Sequence, residues 1–311
     1  MRFSRNLRYD YPLSKGEDVL FAQRVLQKNG YTSVGQPDGI FGRKTDGAVR
    51  KFQSDQGLGV DGIIGPKTWA HLVPLAKRSP ESSKTPPGEP SWEEILQPLQ
   101  AWHRYRGKSD EWRLQKDGIA VNRQHPERTS GEPKTVRRIW KEFGLAILRW
   151  SENYQVPAEL ILATICTESS GNPSAKREES GYLSDEKTPS RVSIGLMQTL
   201  ISTARVAVGR SDIDRPWLLD PDNSIQAGTA YIASQFKQTG FDPPKVACAY
   251  NAGRVVLNDS PTNRWKMRQF PIGTGEHADR FIKWFNDFYA VLSEQGAEGS
   301  GIPSVSFYPL L

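Results

Sequence analysis

Apolar residues recur along the chain mostly at helical spacing, in two stretches separated by an interval rich in Pro and Ser. Val19, Ala22, Val25 and Leu26 fall on one helical stripe, Ala48, Val49 and Phe52 on a second, and Trp69 with Leu72 on a third, because side chains three and four apart share a helix face. The second and third stripes each follow an Asp-Gly turn. Asp38-Gly39-Ile40-Phe41-Gly42-Arg43-Lys44-Thr45 recurs 23 residues later as Asp61-Gly62-Ile63-Ile64-Gly65-Pro66-Lys67-Thr68-Trp69, and Pro66 suits the start of a helix. A repeat of this length marks duplicated supersecondary structure, so the first stretch is expected to form a small three-helix unit. Residues 77 to 91 lack apolar periodicity and read as a linker that tethers two modules loosely. Beyond it, Trp92, Ile95, Leu96 and Leu99 predict a helix, Gly131 to Pro133 interrupts, and a further helix is expected from about Val136 to Tyr154. An apolar run then leads from Val156 to Glu168, opened by Pro157 and closed by Gly171 and Pro173. The fold class implied is mainly α.

At 311 residues and 37% hydrophobic content, the chain suits two domains, one small and one with a sizeable core of its own. No run approaches a membrane span. Residues 1 to 142 hold 25 Lys plus Arg against 17 Asp plus Glu, a net of +8, whereas residues 143 to 311 hold 16 against 18, a net of −2. A basic first half suits an anionic surface, and no nucleic-acid recognition motif accompanies the charge. Cys166 and Cys248 both stand in apolar surroundings and read as buried free thiols, while His71, His103, His125 and His277 are too scattered for zinc spacing. No metal or cofactor is expected, and the chain is read as a monomer.

Glu168 stands out chemically. It falls in the last turn of its helix, on the same face as Ile161 and Ile165. Desolvation disfavours a charged carboxylate there, and so does the negative end of the helix dipole, so its pKa is expected to rise. A carboxyl group that keeps its proton near neutrality is what glycosidic cleavage requires of its acid.

Three more segments follow it: Ser193-Ile194-Gly195-Leu196-Met197-Gln198, then Leu219-Asp220-Pro221-Asp222-Asn223-Ser224-Ile225-Gln226-Ala227-Gly228-Thr229-Ala230-Tyr231-Ile232, then Ala249-Tyr250-Asn251-Ala252-Gly253. With Glu168-Ser169-Ser170, in this order, they closely resemble the soluble lytic transglycosylase family over about residues 145 to 292. The resemblance implies a lysozyme-like α-helical fold and cleavage of peptidoglycan between N-acetylmuramic acid and N-acetylglucosamine, with Glu168 as catalytic acid and base. It further implies that Tyr250 bonds the catalytic Glu, that Asn251 and Gln198 hold N-acetyl or hydroxyl groups, and that Ser193 assists the migrating hydroxyl. Met197 is expected to add an apolar surface for the sugar, Gly195 to let backbone approach it, and Gly253 to end the helix carrying Tyr250 and Asn251. Only one carboxylate carries over, so one group must act twice, leaving a 1,6-anhydro sugar. Departures are Ile201 for the usual Pro, Ser224 for Asn, Arg254 for Pro, and His277-Ala278-Asp279-Arg280-Phe281-Ile282 where the family has Glu-Thr-x-x-Tyr-Val. Phe281 removes a tyrosine hydroxyl, which leaves open a decayed, purely wall-binding virion protein. Glu178, Glu179, Asp185 and Glu186, in an unusually long segment after Glu168, leave open a hydrolytic muramidase with a second carboxylate.

Residues 12 to 75, with Gln23, Leu26-Gln27 and Phe52-Gln53 around the Asp-Gly repeat, resemble the small peptidoglycan-binding domain of wall-lytic enzymes. Asp38, Gly39, Asp61 and Gly62 are then candidates for wall contact, with the alternative that these turns serve folding alone. The organisation expected is a peptidoglycan-binding domain over 1–76, a linker over 77–91, a helical extension over 92–142, a lytic transglycosylase domain over 143–294, and a tail over 295–311 for which docking and mobility are both open. Peptidoglycan is the expected partner, with an anionic outer-membrane surface as a further one. Met1-Arg2-Phe3-Ser4-Arg5 lacks a secretory apolar stretch, which together with the domain order resembles modular bacteriophage endolysins. That likeness implies accumulation in the host cytoplasm, release through a holin-made lesion, and action in the periplasm.

Overall fold

The computed structural model describes residues 3–35, 37–77, 90–131, 133–297 and 302–311. The chain divides into two compact units, Met1–Glu89 and Pro90–Leu311. Of the segment read as a linker, residues 78–89 lie outside the described residues.

Among its described residues the first unit holds three α-helices, α1 (Glu17–Lys28), α2 (Arg43–Asp55) and α3 (Pro66–Lys77). Val19, Ala22, Val25 and Leu26 from α1, Ala48, Val49 and Phe52 from α2, and Trp69 and Leu72 from α3 share one buried core with Leu7, Phe41 and Ile64. Each copy of the repeat is closed by the same device. The buried Gln23 side chain donates to Asp38 Oδ1 (2.9 Å), the Ile40 carbonyl (3.0 Å) and Thr45 Oγ1 (2.9 Å), and accepts from the Gly39 N–H (2.8 Å). Gln53 repeats this with Asp61 Oδ1 (2.7 Å), the Ile63 carbonyl (2.9 Å), Thr68 Oγ1 (3.1 Å) and the Gly62 N–H (2.8 Å). One amide thus satisfies most of the polar groups that an Asp-Gly turn would otherwise bury without partners.

In the second unit α4 (Trp92–Gln100) is followed by strands β1 (Trp112–Gln115) and β2 (Gly118–Val121), then α5 (Lys134–Tyr154) and α6 (Ala158–Ser169). A small antiparallel sheet of β3 (Lys176–Glu178), β4 (Val192–Ile194) and β5 (Thr199–Leu200) comes next, in that order, with Arg177 opposite Ser193. The remaining helices are α7 (Ile201–Val208), α8 (Arg215–Leu219), α9 (Pro221–Ser234), α10 (Phe236–Thr239), α11 (Pro243–Ala252) and α12 (Glu276–Ala297). Every residue of α6 from Ala158 to Thr167 is buried, so this helix is enclosed on all sides and forms the axis of the unit. It packs against α5 and α12 within the larger core, while Val192, Ile194, Ile201, Ala204, Ile213, Leu218 and Ala227 form a second core beneath the sheet.

The extension over 92–142 is not simply helical: β1 and β2 form a hairpin, Trp112 opposite Val121 and Gln115 opposite Gly118. Alternating burial along Trp112–Gln115 and the Asp117-Gly118 turn specify it. Side chains of the later helices hold it in place. Asp242 accepts from Trp112 Nε1 (2.8 Å) and lies 3.0 Å from His103 Nε2, and Asn286 Oδ1 accepts from the Ile119 N–H (2.7 Å). The described part of the tail docks. The Val305 carbonyl accepts from the Ala158 N–H (3.1 Å), and the buried Glu159 accepts from Ser306 Oγ (2.5 Å) and the Tyr308 N–H (3.1 Å). Cys166 and Cys248 are buried free thiols, and burial raises the pKa of both.

Candidate active site

Glu168 is the penultimate residue of α6, whose C-cap Ser170 (φ 52°) and then Gly171 (φ 80°) take left-handed backbone and turn the chain away. Its side chain is 17% exposed. Burial raises its pKa to about 7 against the opposing pull of Arg280 and Arg177. The carboxyl group therefore carries a proton for much of its time at neutral pH, and two guanidinium groups stand by to stabilise the anion once the proton leaves.

The next residue joins this helix end to the sheet: Ser169 Oγ donates to the Leu196 carbonyl (2.6 Å) and accepts from the Gly171 N–H (3.1 Å). Within the 193–198 segment, Ser193 Oγ donates to Gln198 Oε1 (3.1 Å) and Gln198 Nε2 donates to the Gly195 carbonyl (2.9 Å). Gln198 itself sits at φ 47°, a left-handed conformation uncommon for a residue with a side chain. Ser193 is opposite Arg177 across the β3–β4 ladder, which carries it to the same end of the unit as Glu168.

Two residues of this segment turn their side-chain positions into the core. Met197 is fully buried, and its side chain fills the space over Gly228, where an added Cβ would stand 2.4 Å from its sulfur. It is a core residue, and its contribution to the site is its backbone. Gly195 faces inward as well: a Cβ there would meet the Leu218 carbonyl at 2.2 Å and Ser224 Oγ at 2.5 Å, so its lack of a side chain serves packing onto α8 and α9.

Tyr250 and Asn251 lie on the last turn of α11, which Gly253 closes in left-handed conformation. The Tyr250 hydroxyl donates to the Met197 carbonyl (2.8 Å) and lies 3.1 Å from Thr199 Oγ1. The hydrogen bond to Glu168 that the resemblance implied is therefore replaced by one to a carbonyl. Tyr250 still senses the site electrostatically, since burial and then the charge of Glu168 hold its pKa well above the usual range. Asn251 Oδ1 accepts from the Phe270 N–H (2.5 Å), and its Nδ2 faces His277 Nδ1 at 3.3 Å. His277, 5% exposed, places Nε2 3.5 Å from Glu168 Oε1.

The four turn residues Asp38, Gly39, Asp61 and Gly62 belong to the first unit, and their polar groups are engaged by Gln23 and Gln53. Of the acidic residues after Glu168, Asp185 accepts from Arg215 Nε (2.8 Å), Arg215 Nη2 (2.8 Å) and the Tyr182 hydroxyl (2.8 Å), with its pKa lowered first by Arg215. Glu178 pairs with the same arginine at 3.3 Å and Glu179 with Arg177 at 3.2 Å. Reading by motif misses Arg177 and Arg280. Arg280 carries a local signal, lying three residues after His277 on one helix face. Arg177 arrives by strand pairing, for which residues 176–178 offer no local signal.

Residues 146–268 match a family model described as the transglycosylase SLT domain. Over these residues the chain is similar to transglycosylase SLT domains. Residues 15–72 match a second model, described as a peptidoglycan binding domain, and precede it in the chain. Among curated proteins, the membrane-bound lytic murein transglycosylase C of Shigella sonnei is 34% identical over 140 residues, covering 40% of this chain and 35% of its own. A spore cortex-lytic enzyme of Bacillus cereus is 45% identical over 64 residues, 21% of this chain and 24% of its own. The chain thus spans about a quarter to a third of these two relatives. Among solved structures, the 70 kDa soluble lytic transglycosylase of Escherichia coli aligns with a TM-score of 0.33 at 20% identity, over 56% of this chain and 28% of its own. The matched stretch contains Glu168, the 193–198 segment, Tyr250 and Asn251, and it stops short of α12, which supplies His277 and Arg280.

Proposed function

We propose that this protein degrades peptidoglycan as a lytic transglycosylase, cutting the bond between N-acetylmuramic acid and N-acetylglucosamine with Glu168 as both acid and base. The observation that carries this reading is the buried carboxyl group of Glu168 at the end of α6, whose pKa burial raises to about 7 and whose charged neighbours are arginines. Of the other acids in the 178–186 segment, Asp185, Glu178 and Glu179 are each committed to an arginine. Glu168 gives its proton to the leaving glycosidic oxygen as the bond to the muramic acid anomeric carbon breaks, and the substrate's N-acetyl group stabilises the cationic centre. The Glu168 carboxylate, favoured by the charges of Arg280 and Arg177, then takes the proton of the C6 hydroxyl as that oxygen bonds to the anomeric carbon. General acid-base help of this kind contributes about 10²- to 10⁴-fold, and positioning supplies the remainder. Asn251, Gln198 and Ser193 are the side chains assigned to sugar hydroxyl and N-acetyl groups, and the first unit is assigned to holding the enzyme on the wall.

Mass spectrometry of digested sacculi tests this directly. Released muropeptides are expected to end in anhydro-muramic acid, one water lighter than hydrolytic products and resistant to borohydride. Predominantly reducing ends would mean hydrolysis by a second group, and no release of soluble muropeptides would mean a wall-binding protein without turnover.

A further inference from the structure

His277 stands where the family pattern has Glu, and the hydrogen bonds around it determine which of its nitrogens carries the proton. The Phe270 N–H can only donate, so Asn251 must direct its Oδ1 there, at 2.5 Å. The Asn251 amide nitrogen, also only a donor, then faces His277 Nδ1 at 3.3 Å. Nδ1 is therefore the acceptor, and the ring proton sits on Nε2, which lies 3.5 Å from Glu168 Oε1. The ring is 5% exposed. Burial, assisted by Arg280, lowers its pKa to about 3, so it stays neutral and does not compete with Glu168 for the catalytic proton. The groups facing this pair are Arg280 from α12, Arg177 from β3, and Tyr250 and Asn251 from α11.

We propose that His277 is a positioning residue that acts through Glu168: its Nε2–H, aimed by the Phe270–Asn251 relay, holds the Glu168 carboxyl in one orientation and stabilises the carboxylate formed once the proton has been given up. The contact is loose while Glu168 is protonated. It shortens when the anion appears, because hydrogen bonds to charged acceptors are shorter and stronger. The role rests on the proposed reaction, but its geometry can be tested without turnover.

In the full-length protein, correlation spectra of the imidazole nitrogens are expected to show a neutral His277 with the proton on Nε2. A proton on Nδ1, or an imidazolium at pH 6, would overturn the assignment. Two variants then probe the link to Glu168. His277→Phe fills the space without a donor, and His277→Gln can still accept from Asn251 and donate to Glu168. Carbon-detected titration of Glu168 should give a pKa at least half a unit above wild type in the Phe variant and close to wild type in the Gln variant. Equal values in all three proteins would overturn the proposal, as would a Gln variant that behaves like the Phe variant. Turnover of sacculi should fall about tenfold in kcat for His277→Phe, as expected for the loss of one hydrogen bond to a charged group, with KM little changed and most activity retained in His277→Gln. Glu168→Gln run alongside separates the two readings. Wild-type activity in that control would sink the catalytic role of Glu168, while the spectra would still decide the orientation of His277.

Discussion

Replacing Glu168 by Gln should make the protein more stable at alkaline pH while abolishing its activity. In the unfolded chain a Glu ionises near its ordinary value of 4.5, whereas in the folded protein burial holds the proton on Glu168 up to about pH 7. The folded pKa is thus raised. Below about pH 4 both states are protonated and the full stability is present. As pH climbs towards 7 the unfolded state ionises first, and stability drains away at about 1.4 kcal/mol per pH unit. Above the folded pKa both states are ionised and the loss stops growing. A shift of this size corresponds to about 3 kcal/mol, or about 2 kcal/mol once partial solvent screening of a side chain 17% exposed is allowed for. Gln carries no titrating proton, so the stability of Glu168→Gln minus that of wild type should rise through that window and level off above pH 7 to 8. Urea titrations at intervals from pH 4 to 9 would measure it. Tryptophan fluorescence is a suitable signal, because eight of the nine tryptophans lie in the second unit. A difference that stays flat with pH would refute the reasoning, since it would mean that Glu168 titrates alike in folded and unfolded chains. A constant offset, from new contacts of the Gln amide, would not.

The hairpin lock should follow pH in the same direction, but as a cost of substitution that shrinks with rising pH rather than a gain that grows. Burial pulls the His103 pKa down, but the hydrogen bond and charge of Asp242 prevail and leave it raised, so His103→Gln should cost most below pH 6.5 and progressively less as pH rises through the folded pKa, measured by the same urea titrations; a cost that grows with pH would contradict this. Gln53→Leu should leave the Gly62 N–H without its partner and the Ile63 carbonyl with Thr68 Oγ1 alone and cost the first unit about 1–3 kcal/mol, read as faster hydrogen exchange confined to residues 3–77, with exchange equally faster in the second unit counting against it. Asp185→Asn should weaken the Arg215 contact and lower thermal stability slightly, while the muropeptides released keep anhydro ends; a switch in product would make Asp185 part of the chemistry.

Helices that obey one period and carry their own start and stop signals were legible from sequence. The three stripes of the first unit and the helix ending at Glu168 fall where the periodicity, Pro157, Gly171 and the Asp-Gly turns place them. What escaped was non-local. The β1–β2 hairpin lies among helices, and its alternation over Trp112–Gln115 is only four residues long, too short to stand out from a helical pattern without the partners supplied by Asp242 and Asn286 far along the chain. Met197 and Gly195 show a different limit. Small and apolar residues in a motif read alike whether they face a ligand or the core, and only the positions of Gly228, Leu218 and Ser224 distinguish the two.

The same distinction explains how a costly carboxyl group can be kept. The pKa of Glu168 is raised to about 7 because it ends a helix buried on every side, and a more exposed helix end would have let it keep its ordinary value. The residues around it then divide by what they hold. Ser169 ties the helix end to the Leu196 carbonyl, Tyr250 spends its hydroxyl on the Met197 carbonyl, and Met197 fills the space over Gly228. None of these three needs to touch a sugar for the motif to require it, since each fixes the backbone on which Ser193 and Gln198 are presented. Charge is managed separately, from strand and helix positions outside the motifs, by Arg177, Arg280 and the neutral His277. Substitutions among the first group should therefore act on folding and on activity together. Substitutions among the second should move the Glu168 titration while leaving the 193–198 backbone in place, so measuring stability and the Glu168 pKa on the same variants would separate scaffold from electrostatics at this site.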